Sequence, residues 1–115
     1  MTITRFAAGP RMSAVVVHRE TVYLSGHVSA EPSGSVAGQT RAILERIDAR
    51  LAEAGTDKTR LLSANIWLAD MGTFEEMNGV WDAWVAAGQT PARATVEARL
   101  ARPEYLVEIS VIAAK

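Results

Sequence analysis

From Pro91 to Leu100, small or apolar residues (Ala92, Ala94, Val96, Ala98, Leu100) alternate with polar ones (Arg93, Thr95, Glu97, Arg99), the period of a strand with one packed face. The pattern predicts that the small residues pack and that the polar ones are presented outward. Pro91, without an N–H for a ladder, fits the strand entrance and places Arg93 near it. The same period recurs from Leu61 to Leu68, with Leu62, Ala64, Ile66 and Leu68 on one face and Ser63, Asn65 and Trp67 on the other. It recurs again from Tyr105 to Ala113, where Leu106, Glu108, Ser110 and Ile112 oppose Tyr105, Val107, Ile109 and Val111. Three earlier segments read as strands: Ile3 to Phe6, Ser13 to His18 and Thr21 to Val28, the first ended by the turn cluster Ala7-Ala8-Gly9-Pro10. Arg19-Glu20 is not a favoured two-residue turn, so a looser loop is expected between the second and third.

The period changes to helical from Val36 to Ala54. There Val36, Thr40, Ile43, Leu44, Ile47, Leu51 and Ala54 form one stripe, with Ser35 placed to cap its start and Gly55 to close its end. A second helix is predicted from Thr73, with Glu76 three residues on as a capping box, Phe74, Met77, Trp81, Trp84 and Val85 buried, and Gly88 as its stop. Between strands and first helix, Ser29 to Ser35 is a Pro- and Gly-containing loop and a candidate lid. Two amphipathic helices among six strands both need a sheet face, which predicts helices on one side of a single sheet. The other face, carrying Trp67 among small, aliphatic and charged side chains, is too apolar for water and too charged for a core. A homo-oligomer with sites at subunit boundaries is therefore expected.

A chain of 115 residues, 49% hydrophobic and 22% charged, is read as one globular domain spanning residues 1–115. With a net charge of -1 it has no surplus of cations to neutralise a phosphate backbone, which argues against nucleic acid as partner. Cysteine is absent and His18 and His27 are the only imidazoles, so neither a thiolate nucleophile nor a metal-ligand spacing can be written, and no metal is expected. Met1 to Gly9 lacks the basic-then-apolar pattern of a leader, and no stretch has the length of a membrane span. A cytoplasmic protein without membrane contact is expected.

Glu108 stands out as a lone carboxylate in an otherwise nearly apolar strand. Such a group is paired, hydrogen-bonded or protonated. Two readings are open: an ion pair with Arg93 or Arg99 across an antiparallel hairpin, or a general base toward water. Arg93 is either part of a solvated strand face or a planar fork for a substrate carboxylate. Gly26, after Ser25 at a strand end, allows close backbone approach or marks a bulge. Asn78 faces inward on the second helix and suits bracing of helix to loop. His18 and His27 read as strand residues without catalytic duty, and the three tryptophans as core and interface anchors.

Gly38-Gln39-Thr40, Ala54-Gly55, Leu68-Ala69-Asp70-Met71, Met77-Asn78, Pro91-Ala92-Arg93 and Val107-Glu108-Ile109 together resemble the RidA/YjgF family, the reactive intermediate deaminases. The resemblance runs over nearly the whole chain. It implies a chorismate-mutase-like α+β fold of the bacillus type, a mixed sheet of about six strands with two helices on one face. It also implies a homotrimer whose sheets form a central barrel with three sites between subunits. The implied activity is cofactor-free hydrolysis of reactive enamines and imines, like that of a 2-iminobutanoate/2-iminopropanoate deaminase, to 2-oxo acids and ammonia. Carried over by motif, Arg93 would hold the substrate carboxylate and Glu108 would position or activate water. Backbone groups near Gly26 and Thr95 would hold the substrate, and Asn78 would support them. The chain departs from the best-known subgroup at Gly9-Pro10-Arg11-Met12, where an aromatic residue is usual, at Thr95, at Leu100-Ala101-Arg102-Pro103 and at Ser110, as a divergent branch would. Arg11 is expected to add a positive charge near the cleft and favour a more acidic substrate. The alternatives are a non-enzymatic protein binding a small carboxylate such as a 2-oxo acid and, least in keeping with the charge, a ribonuclease.

Overall fold

The computed structural model describes residues 2–32 and 34–115; Met1, and Ser33 of the candidate lid, lie outside the described residues. Strands β1 (Ile3–Ala8), β2 (Ser13–His18) and β3 (Thr21–Leu24) form a meander and lead into helix α1 (Val36–Glu53). Strand β4 (Leu61–Leu68), helix α2 (Phe74–Trp84), strand β5 (Ala92–Glu97) and strand β6 (Val107–Ala114) follow. They make one mixed sheet in the order β1-β2-β3-β6-β4-β5. Strand β6 enters between β3 and β4 and is antiparallel to both, while β4 and β5 are parallel and joined through α2. This is the α+β architecture expected, with both helices on one face.

The core lies between that face and the helices. Ile43, Leu44, Ile47 and Leu51 of α1 and Met77 and Trp81 of α2 pack on Val15, Val22, Ile66, Leu68, Val107 and Ile109. Each such aliphatic side chain removed from water contributes about 1.5–3 kcal/mol. Ser35 caps α1 as its sequence suggested, its hydroxyl accepting from Gly38 N at 3.1 Å, and Gly55 takes φ 82 just past the helix end.

Several local expectations are corrected. His18 pairs with Thr21, so Arg19-Glu20 is a tight two-residue turn after all, with Arg19 in the left-handed region at φ 56. The capping box of α2 is not formed. Thr73 donates its hydroxyl to Asp70 O, and Glu76 instead accepts from Ala37 N at 2.9 Å, ending up on the first turn of α1. A register shift between Leu61 and Ser63 buries Leu61 and leaves Leu62 exposed, breaking the alternation at the start of β4. Helix α2 stops at Trp84, ahead of Gly88, and β5 stops at Glu97 rather than Leu100.

The largest correction concerns β5. Arg93, Thr95 and Glu97 pair in register with Ala64, Ile66 and Leu68, whose side chains are buried under the helices. Paired residues share a face, so the polar side chains point to the helix layer, and Ala92, Ala94 and Val96 occupy the open face. The open face also carries Val16, Tyr23, Glu108, Ser110, Ile112, Asn65 and Trp67 by the same register.

Candidate active site

Arg93 is half-buried at the edge strand, where its guanidinium carbon lies 5.3 Å from the centroid of Trp81 and 5.8 Å from that of Phe74. The two rings and Asn78 stand on one face of α2, since positions 74, 78 and 81 are four and three residues apart. A guanidinium stacks on aromatic faces without losing the donors on its edge. Neither salt bridge among the described residues involves Arg93. On the same side, Thr95 Oγ1 and Asn78 Oδ1 are buried with no hydrogen-bond partner. Asn78 therefore does not brace helix to loop through its carbonyl oxygen. Two unpartnered buried oxygens beside a cation whose edge is free form a place built for a polar guest.

Glu108 belongs to a different corner. It pairs with Trp67 and faces the open side of the sheet, at the end of β6 where His27 bridges Ile109. A Cβ added to Gly26 would collide with Glu108 Oε2 and lie 3.0 Å from its Cδ. Only glycine leaves room for the carboxylate where it stands, so Gly26 and Glu108 are neighbours.

Arg93 and Glu108 are not brought together within one chain. Strand β4 separates their strands, so the expected ion pair across an antiparallel hairpin, with Arg93 or with Arg99 beyond the end of β5, does not exist. Arg93 aligns with Ala64 and Val111 and Glu108 with Trp67, an offset of about 10 Å along the strands and about 10 Å across two strand spacings, on opposite faces. Arg11 is exposed in the turn between β1 and β2, at the far edge of the sheet from β5. Cavities of about 610 Å³, between Glu97 and Tyr105, and about 600 Å³, between the helices, include none of Arg93, Gly26 or Glu108. Among the described residues no cluster of His, Cys, Asp and Glu could hold a metal ion, and no helix is long and apolar enough to cross a membrane.

Two residues have partners that the sequence analysis did not assign. Gln39, fully buried on α1, donates from Nε2 to Glu104 O at 3.0 Å and accepts from Leu106 N at 2.9 Å, tying down the loop that delivers Glu108. Its place beside Thr40 in the helical stripe was the available signal. His27 is buried, with Nδ1 2.7 Å from Ser25 O. Burial lowers its pKa, assisted by Arg50 and Arg46, while the bond to Ser25 opposes the shift. Phe74 and Trp81 were expected in the core; that they also form the bed of Arg93 becomes visible only in three dimensions.

The sequence model of the family described as Endoribonuclease L-PSP matches residues 2–115. The crystal structure of NMB1025 from Neisseria meningitidis, a member of the YjgF protein family, shares 54% identity and a TM-score of 0.97, covering 100% of this chain and 96% of that one. The RutC family protein YoaB of Escherichia coli strain K12 is 46% identical over 114 residues, 99% of each chain. The 2-iminobutanoate/2-iminopropanoate deaminase of Bos taurus is 34% identical over 113 residues, 93% of this chain and 81% of that protein. These similarities define a class of small α+β proteins with two helices on one face of a six-stranded mixed sheet. Within it, the chain belongs to the RidA/YjgF family.

Proposed function

We propose that the chain is a cofactor-free imine hydrolase acting as a homotrimer, in clefts where Arg93 of one copy meets Gly26 and Glu108 of the next. The observation that carries the reading is the Arg93 nook: a stacked guanidinium with no carboxylate partner among the described residues, beside two buried oxygens that lack a donor. A 2-imino acid supplies both needs, a carboxylate for the fork and N–H donors for the oxygens. Family membership and the likeness to the bovine deaminase support the same substrate class. The separation of Arg93 from Glu108 favours a site shared between copies, because a single chain holds them on opposite faces.

In the reaction, the imine nitrogen is already protonated, and Glu108 accepts a proton from water while the water oxygen bonds to the iminium carbon, giving a neutral carbinolamine. That proton passes from Glu108 to nitrogen, the C–N bond breaks, and the hydroxyl proton passes to Glu108 and then to solvent as the carbonyl forms. The products are a 2-oxo acid and ammonia, so atoms balance without an oxidant or reductant. Arg93 fixes the carboxylate so that one face of the imine carbon meets the water. The net charge of -1 argues against RNA as the substrate.

The test is the decay of 2-iminobutanoate, generated in situ by an amino-acid oxidase, with wild type beside Arg93→Ala. Acceleration by wild type and its loss in a variant of unchanged oligomeric state supports the reading. Tight binding of 2-oxobutanoate by a wild type that leaves imine decay at the buffer rate would instead establish the carboxylate-binding alternative.

A further inference from the structure

Gly26 is flanked by two anchors. On one side Ser25 N donates to Ala14 O at 3.0 Å; on the other, His27 N donates to Ile109 O at 2.8 Å and His27 O accepts from Ile109 N at 3.0 Å. Between them, the His27 ring reaches back over two residues to Ser25 O at 2.7 Å. A carbonyl only accepts, so Nδ1 must carry the hydrogen. His27 is buried and pairs with Ile109, so its ring lies on the helix side of the sheet, where Arg46 and Arg50 act on it, while Glu108 lies on the open side against Gly26. Burial and those two arginines both favour the neutral ring.

The peptide joining Ser25 to Gly26 is trans, so its C=O and N–H point in opposite directions. A ring that draws Ser25 O toward α1 therefore turns the Gly26 N–H toward Glu108. That N–H has no protein acceptor among the described residues. We infer that His27 is a positioning residue: by holding Ser25 O it aims the Gly26 N–H at the ligand that Glu108 faces. The inference rests on the proposed imine-hydrolase reading for the identity of that ligand, and on geometry alone for the orientation.

The two parts are tested by separate readouts on the intact oligomer. The orientation is read by NMR, from the Gly26 amide shift and exchange rate and from the imidazole ¹⁵N shifts, in wild type, His27→Leu and His27→Asn. Asparagine places a donor where Nδ1 stands; leucine fills the space without one. The expected result is a neutral Nδ1–H ring in wild type, a shifted Gly26 amide that 2-oxobutanoate no longer protects from exchange in His27→Leu, and a wild-type amide in His27→Asn. Kinetically, His27→Leu should raise KM for the imine about tenfold, the loss of one hydrogen bond, with kcat little changed and His27→Asn restoring it. An Nε2–H tautomer in wild type would overturn the inference without any variant. So would a Gly26 amide indifferent to His27→Leu, or His27→Asn as impaired as His27→Leu, which would assign the effect to packing. A wild type without imine hydrolysis overturns the functional reading instead, and the amide comparison then decides the orientation by itself.

Discussion

The Arg93 nook and the Glu108 corner are built from different materials. Arg93 rests on side chains: two aromatic planes about two helical turns apart, carried by a helix that the parallel pairing of β4 and β5 sets over the edge of the sheet. Glu108 rests on backbone: an absent Cβ at Gly26, a two-way bridge between His27 and Ile109, and a loop tied by Gln39. The first tolerates little change of side chain, the second little change of chain path. Alternation along the strands then sends the two to opposite faces. Each corner is thus finished within the chain, yet a site using both would need a neighbour.

The sharpest test of that division mixes two inactive variants. Glu108→Gln should lower kcat by about 10²–10⁴ through loss of the base, and Arg93→Ala should lower kcat/KM by about a hundredfold through loss of the charged bonds to the carboxylate. Co-refolded in equal amounts, random trimers of the two should recover about a quarter of wild-type activity, because each mixed trimer has one cleft with both native residues. No recovery from mixed oligomers would place both residues of each site on one copy and break the comparison.

A smaller effect separates the backbone corner from stability. Gly26→Ala forces the flexible carboxylate of Glu108 aside rather than any backbone, so activity should fall about tenfold while Tm moves by no more than about 3 °C. A large drop in Tm, measured by calorimetry, would mean the corner cannot yield. Smallest in activity is Gln39→Leu, which leaves Glu104 O and Leu106 N without partners. It should cost about 1–3 kcal/mol in urea unfolding with kcat changed only a few-fold. A large loss of kcat at unchanged stability would show that Gln39 acts on the chemistry rather than on the loop.

Much of this was legible in the chain. Helix α1 was expected at Val36 to Ala54 and lies at Val36–Glu53 with its serine cap, because a long 3.6-residue stripe has one way to be buried. The faces of β6 fell as their alternation indicated, since Val107, Ile109, Val111 and Ala113 leave no doubt which side is apolar. Glu76 was less legible. A glutamate three residues after a threonine is a local signal, and it was overridden by the N-terminus of α1, which chain order does not place beside it. His27 was read as a strand residue without catalytic duty and Gln39 only as a motif position, because their partners are backbone carbonyls and amides, which every residue has.

The order of residues was enough for the kinds of element, their succession and the buried stripe of α1. Which face of β5 is which was settled by its neighbours in the folded sheet. Alternation has period two and is unchanged by exchange of its two sets; alanine and valine are small enough to line either side. On the helix side, α2 offers Arg93 the aromatic faces of Phe74 and Trp81, and the register of β4 sets Thr95 beside Ile66. Strand β6, inserted between β3 and β4, then put Glu108 on the opposite face, because partners in a ladder share a side and neighbours in sequence do not.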